Sequence, residues 1–359
     1  MAKVLSRRVL LAGVAALSES RRLLPAVALP QNVRVMILGL DGHVEEILRP
    51  LPRLPGVSVV AVSHPDAGEL DRSLRNPLLK GVAHFADWRE MLGHVEADVA
   101  AVCNDNGGRA EAVIACIQHG LHVIAEKPLA LNTADLLRIR SASEEHHVRV
   151  GLLLPMRYEP AYQMMKRVVA EGLIGEVVQI AAQKSYQAGV RPGWYLHRAT
   201  YGGTIPWLAP HMIDLMRFTS GRDFREAAGF AANVGAPGLG EMENVTASVF
   251  RLDNGGVATL RLDYLRPDTA PTHGDDRLRL AGLNGVVEFE QRTGVTLVTH
   301  KENPKRLPEI PAAGSVFVDF LESVYAGKQS DLPLAEILRV SEVVIGAQAA
   351  ALEHRIVQL

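Results

Sequence analysis

Residues 33–44 read VRVMILGLDGHV: a short apolar run, Val33–Leu38, entering a glycine turn at Gly39. A strand without polar–apolar alternation is buried on both faces, and glycine directly after it lets the backbone turn tightly. The same signal recurs at Val57–Val62, Asp98–Cys103, Leu121–Ile124 and Val148–Leu154. Helical periodicity fills the gaps, from His43 to Leu51 and over Trp88–Val95, Arg109–His119 and Asn132–Glu145. Strands that alternate with helices predict a parallel sheet covered on both sides. The expectation is an α/β arrangement whose N-terminal part, residues 31–154, is a Rossmann-type doubly wound parallel sheet suited to a dinucleotide.

After Pro155 the pattern changes. A helix is expected over Ala161–Glu171, a strand over Val177–Ser185 and a helix around Trp207–Phe218. Five strand-like runs then follow closely: Val245–Leu252, Val257–Leu265, Arg277–Ala281, Val286–Glu290 and Val295–Thr299. Asp253-Asn254-Gly255-Gly256 between the first two is a hairpin signal. Helices over Val316–Tyr325 and Leu334–Leu352 close the chain. Residues 155–359 therefore read as an α+β domain with an open, mostly antiparallel sheet, and the cleft between domains is the expected site.

Composition excludes several classes. The chain has 359 residues, 48% of them hydrophobic, so a sizeable core is available and disorder is not expected. A formal charge of −2 and 5% aromatic content speak against a nucleic-acid partner. Cys103 and Cys116 are too few for a disulfide framework and read as buried free thiols. No metal-binding spacing, P-loop or serine-nucleophile motif occurs; Thr272–Arg277, with His273 and Asp275, reads as a turn entering a strand. Residues 1–30 look like a leader. Lys3, Arg7 and Arg8 precede the apolar run Val9–Leu17, and Ala26-Val27-Ala28 fits a cleavage pattern. Ser6-Arg7-Arg8-Val9-Leu10-Leu11 has the look of a twin-arginine export signal, the alternative being a cytoplasmic protein. The run is too short for stable membrane insertion. Without this basic segment the formal charge moves from −2 to −6.

Two motifs carry chemistry. Gly39, Asp41, Gly42 and His43 occupy the place of a G-x-G-x-x-G turn, with Asp41 at the second glycine. The second strand ends at Ser63, with neither an acid at its tip nor an arginine directly after it, so NAD and NADP both stay open. The second motif is Glu126-Lys127-Pro128 at the end of the Leu121–Ile124 strand, the edge where ligands bind. An ammonium there could stabilise a developing alkoxide.

Strand-Glu126-Lys127-Pro128, following a glycine-rich first turn, resembles the glucose–fructose oxidoreductase / inositol dehydrogenase / MocA (Gfo/Idh/MocA) family. Phe85–Leu92, Arg157-Tyr158-Glu159-Pro160, Gly172–Val177 and Gly202-Gly203 followed by His211-Met212-Ile213-Asp214 agree with it, so the resemblance spans Val33 to Leu352. It implies NAD or NADP as cofactor and a small sugar, cyclitol or polyol substrate. It also implies a homodimer or homotetramer formed through the open sheet. Carried over by residue, Lys127 and His211 are the catalytic pair. Gly39, Asp41, Gly42, His43, Ser63, Asn104, Asn106, Glu126 and Lys127 fall in the cofactor region. Arg157, Trp194, Trp207 and Asp214 are candidate substrate contacts. Trp207 stands where relatives carry an aspartate, and Asn104–Arg109 replaces a T-P-N-x-x-H stretch. These departures and Asp41 leave two alternatives beside a hydride-transferring oxidoreductase. One is a glycosidase using NAD for transient oxidation; the other is a non-catalytic binding protein on the same fold.

Overall fold

The computed structural model describes residue 29 and residues 31–310 and 314–359; apart from Leu29, the expected leader lies outside the described residues. The first sheet contains β1 (Val33–Leu38), β2 (Val57–Ser63), β3 (Ala83–Phe85), β4 (Val99–Val102), β5 (His122–Ala125) and β6 (Val150–Leu152). Their order is β3-β2-β1-β4-β5-β6 and every pairing is parallel. That order reverses between β1 and β4, which opens a crevice at the carboxyl ends of both strands. Burial follows from composition: in β1 only Arg34 is not buried, and its guanidinium pairs with Asp98 and Glu96 at the sheet's lower edge.

In this domain one local expectation fails, and one helix and one strand escape the sequence pattern. The stretch from His43 to Leu51 is not a full helix but a single turn, Glu45–Leu48, followed by a 3-10 turn, Leu51–Arg53. Pro50, Pro52 and Pro55 each remove a backbone donor and stop propagation. The Ala67–Ser73 helix and β3 carried too little apolar periodicity to be read; the helix is instead capped by the Asp66 carboxylate.

The second sheet contains β7 (Val177–Tyr186), β8 (Phe224–Ala232), β9 (Val245–Leu252), β10 (Val257–Asp263), β11 (Gly274–Gly282), β12 (Gly285–Glu290), β13 (Gly294–Thr299), β14 (Lys305–Arg306) and β15 (Val357–Gln358). Its order is β14-β13-β12-β11-β7-β10-β9-β8-β15. All pairs are antiparallel except β7 with β10. Apart from Val245 and Asp263 at their ends, β9 and β10 alternate between buried and exposed residues. The buried row, including Phe250, Leu252, Leu260 and Leu262, joins the core beneath the Thr204–Ser220 helix, while the Leu334–Glu353 helix covers β8 and the Pro160–Ala170 helix covers β12 and β13. The other face is open and exposes Phe230, Val249 and Val257.

The domain division differs from expectation at one place. The Val316–Tyr325 helix, expected in the second domain, packs Phe317, Phe320 and Leu321 into the same cluster as Val33, Val35 and Ile37 of β1. Gly151 in β6 makes room for it, because a Cβ there would lie 2.7 Å from the Phe320 ring. Both cysteines are free and buried. Among the described residues no helix is long and apolar enough to cross a membrane, and no His/Cys/Asp/Glu group could hold a metal ion.

Candidate active site

The carboxyl ends of β1, β2 and β4 open on a cavity of about 870 Å³, lined by Gly39, Asp41, Ser63, His64, Asn104 and Trp194 among others. Gly39 has φ +80°, and a Cβ on it would overlap the Cys103 carbonyl and the Asn104 amide. Only glycine permits that approach. Ser63 Oγ and Asn104 Oδ1 are buried without protein partners, so polar atoms are left for a ligand. Volume, glycine turn and unpartnered groups fit a dinucleotide at the switch point. The Asp41 carboxylate is not directed at empty space; it lies 3.4 Å from the Trp194 indole N–H and 3.9 Å from His64 Nε2. Trp194, expected at the substrate, thus lines the cofactor cavity. Asn106 does not line it. Its amide donates to the Tyr201 carbonyl at 2.8 Å and its oxygen accepts from Arg109 at 2.8 Å, so its role is internal.

A second cavity, of about 550 Å³, lies between the domains. Its walls include His43 from the glycine turn, His211, Lys184 and Tyr186 of β7, Asp276 of β11, Glu159 and Tyr162. His43 is clamped by Glu126. Its backbone N–H donates to Oε2 at 3.0 Å, and its Nδ1 lies 2.9 Å from both carboxylate oxygens. The two histidine rings meet edge to face with centroids 4.9 Å apart. Burial pushes His211 well below the usual imidazole value, and the positive Lys184 adds to the shift, so this ring stays neutral. Lys184 donates to Asp276 at 2.7 Å. Four polar atoms on lining residues are buried without partners: His211 Nδ1, Asp276 Oδ1 and the Tyr158 and Tyr162 hydroxyls.

Lys127 lies behind this wall. Its Nζ donates to the Trp207 carbonyl at 2.7 Å, stands 3.1 Å from the centre of the Trp207 ring and 3.7 Å from Glu126. Burial pushes its pKa down to about 7 against the pull of Glu126. Trp207 is therefore not a free platform for a sugar. Its ring covers the ammonium and packs edge to face against Trp194 and Tyr195. The Lys127–Pro128 peptide is cis. Arg109, fully buried, donates to the carbonyls of Lys127 at 3.1 Å and Pro128 at 3.2 Å, and also to that of Asn104. It ties the Glu-Lys-Pro turn to the loop after β4.

Arg157 and Asp214 correct the expectation most plainly. They form a two-point ion pair, and Arg157 also donates to the Asp331 carbonyl. Their side chains are 4% and 2% exposed and border neither cavity. The pair clamps the chain between the domains onto the Thr204–Ser220 helix. Sequence reasoning missed Lys184, Asp276, Glu159 and Tyr162. A lysine inside the apolar stretch Val177–Tyr186 was a signal that a buried charge needed a partner there.

Comparison with known proteins agrees with this geometry. Residues 33–153 match the model of an oxidoreductase family with an NAD-binding Rossmann fold, and residues 162–288 match the GFO/IDH/MocA C-terminal domain. The 1,5-anhydro-D-fructose reductase of Ensifer adhaerens is 30% identical over 231 residues, 62% of this chain and 67% of that protein. The inositol 2-dehydrogenase of Salmonella typhimurium is 25% identical over 198 residues, 54% of this chain and 56% of its own length. The match therefore spans little more than half of the latter relative. A Thermotoga maritima structure assigned as an oxidoreductase superposes with TM-score 0.86 at 29% identity, covering 91% of this chain and all of that one. Matched over both of its domains, this chain belongs to the Gfo/Idh/MocA family of NAD-binding oxidoreductases.

Proposed function

We propose that this protein interconverts a secondary alcohol and a ketone on a sugar, cyclitol or related polyol. The observation that carries the reading is the convergence of unpartnered polar atoms on one cavity. His211 Nδ1, Asp276 Oδ1 and the Tyr162 hydroxyl would each be satisfied by a ligand hydroxyl. The inositol dehydrogenase and anhydrofructose reductase relatives act on ligands of that kind by name. A bound nicotinamide supplies the two-electron hydride acceptor or donor. The protein supplies the rest. Gly39, Ser63 and Asn104 hold the dinucleotide side, and the Lys184–Asp276 pair offers both a donor and an acceptor to adjacent hydroxyls. His211 stays uncharged and orients a hydroxyl without holding its proton.

The cofactor wall supports NAD over NADP. Asp66 and Glu69 line the cavity just past β2, where a 2′-phosphate would lie. Two arginines line this cavity: Arg89 is paired with Glu111 at 2.7 Å and Asp87 at 3.6 Å, and Arg191 donates to the Ala188 carbonyl at 2.6 Å and the Gln187 carbonyl at 2.9 Å. Calorimetry on the purified chain should give an affinity for NAD at least about tenfold above that for NADP, and the reverse order defeats this preference. The reaction itself is tested by nicotinamide absorbance with inositol and glucose in the oxidising direction and 1,5-anhydro-D-fructose in the reducing one. Turnover of at least one is expected; cofactor binding with no redox change on any of them sinks the polyol reading. The open sheet face, with Phe230, Val249 and Val257 exposed, supports a homodimer, which light scattering would show and V249E would dissociate.

A further inference from the structure

Resting on the polyol reading above, we propose that His43 is the catalytic residue that takes the alcohol proton, and that Glu126 is its positioning residue. Glu126 is fully buried. Burial alone would raise its pKa, but His43, Lys127 and Arg109 outweigh it and hold the carboxyl below its ordinary value. A carboxylate has no proton to give, so in the 2.9 Å contact His43 Nδ1 is the donor. That sets the tautomer and leaves the Nε2 lone pair free. The ring is 29% exposed and forms part of the second cavity's wall. The clamp has two points, since the His43 backbone N–H binds the same carboxylate at 3.0 Å. Gly42 makes it feasible: its φ is +69°, and a Cβ there would lie 2.6 Å from Glu126 Cδ. A carboxylate that orients an imidazole and stabilises its protonated form is a recurrent acid–base device.

The other candidates are worse placed. Lys127 is capped by the Trp207 carbonyl and covered by its ring, and it lines neither cavity. His211 touches the cavity, but its surroundings oppose a positive charge. It is suited to sharing a hydrogen bond with the same hydroxyl, 4.9 Å ring to ring from His43. In the oxidising direction the carbinol C–H bond breaks, and the oxidised nicotinamide that this family binds would supply the acceptor for its hydride. The O–H proton passes to His43 Nε2 as the C=O bond forms. The imidazolium then releases that proton to water on its exposed side. Reduction reverses each transfer. The titratable and charged groups around His43 are Glu126 from the β5 turn, Glu46 and Arg49 beside it, His211 from the Thr204–Ser220 helix, Lys184, Tyr186 and Asp276 from the sheet, and Glu159, whose carboxyl pKa burial pushes up to about 7.

The test uses the full chain with whichever panel substrate it turns over. H43Q should lower kcat by about 100-fold or more, the range for losing a general base, and leave NAD affinity within about twofold. The fall in the oxidation rate at acid pH, where the base is protonated, should disappear with it. E126Q should lose less activity and move that acid limb to lower pH, because the neutral amide no longer favours the imidazolium; E126D should restore part of both. H43Q activity within about threefold of native, with the acid limb intact, overturns the proposal. Nitrogen-15 spectra of the unliganded chain supply a readout independent of turnover. His43 should be the Nδ1–H tautomer, and E126Q should shift its titration downward. An Nε2–H form, or indifference to E126Q, overturns the pairing. A native chain that oxidises or reduces no panel substrate defeats the polyol reading, and the spectra then still decide the Glu126–His43 pair.

Discussion

Glu126 and Asp214 are both carboxylates with almost no exposure, and each is bonded at two points to a nitrogen-bearing partner. Glu126 serves a histidine that forms part of a cavity wall, whereas Asp214 serves Arg157, which borders neither cavity. Burial and charge pairing alone therefore do not mark a functional group. What separates the two is whether the partner keeps a free polar atom facing open space. Arg157 spends its donors on Asp214 and the Asp331 carbonyl, while His43 retains Nε2.

Four measurements would break or sharpen this contrast. The largest effect is expected at the closed pair. D214N leaves the Arg157 guanidinium buried without its counter-charge, which should cost about 3–5 kcal/mol in denaturant unfolding. It should leave the acid limb of the rate profile in place. A loss under 1 kcal/mol, or a moved limb, would erase the distinction between the pairs.

Next comes the cofactor wall. G39A places a side chain at φ +80° against the Cys103 carbonyl. Strain of about 1–3 kcal/mol at such a position predicts NAD binding weakened at least about tenfold by calorimetry. Unchanged affinity would remove the glycine turn from the cofactor site.

Lys127 gives a third, pH-dependent test. Its folded pKa of about 7 lies below the ordinary lysine value of 10.5, so between these values the unfolded chain binds more protons. Stability should therefore rise with pH across that window, by up to about 1.4 kcal/mol per pH unit from this group. Below the window its full penalty applies. K127M should flatten this rise, and a native slope of the opposite sign would mean that the ammonium is well accommodated beneath Trp207.

The smallest effect belongs to a site remote from both pairs. N132A removes the side-chain acceptor that caps the Thr133–Glu145 helix and should cost about 1 kcal/mol. NAD affinity and the pH profile should not change. A shift in either would show that mild destabilisation alone mimics the site-directed effects.

Legibility differed sharply along the chain. Val33–Leu38, Val245–Leu252 and Val316–Tyr325 coincide with their expected bounds, because their apolar patterns match one period cleanly. Phe224–Ala232 passed unnoticed as a strand: FREAAGFAA has small residues and little β-branching, and its pairing with β9 supplies what local preference lacks. Of the catalytic pair implied by the resemblance, His211 lines the second cavity, whereas Lys127 lies behind its wall. The Lys184–Asp276 pair was not legible, since those residues meet only through the antiparallel register of β7 and β11.

By itself the sequence determined the two-domain order, the parallel sheet with its glycine turn and the family to which both domains belong. These depend on periodicity and short motifs, which are local in the chain. Only the tertiary structure decided which charged groups face a ligand. His43 and Glu126 are 83 residues apart, Lys127 and Trp207 are 80, and Arg157 and Asp214 are 57. Their meetings follow from strand order and from how the Thr204–Ser220 helix packs against the first domain, and no pattern along the chain encodes which side of a buried pair remains open.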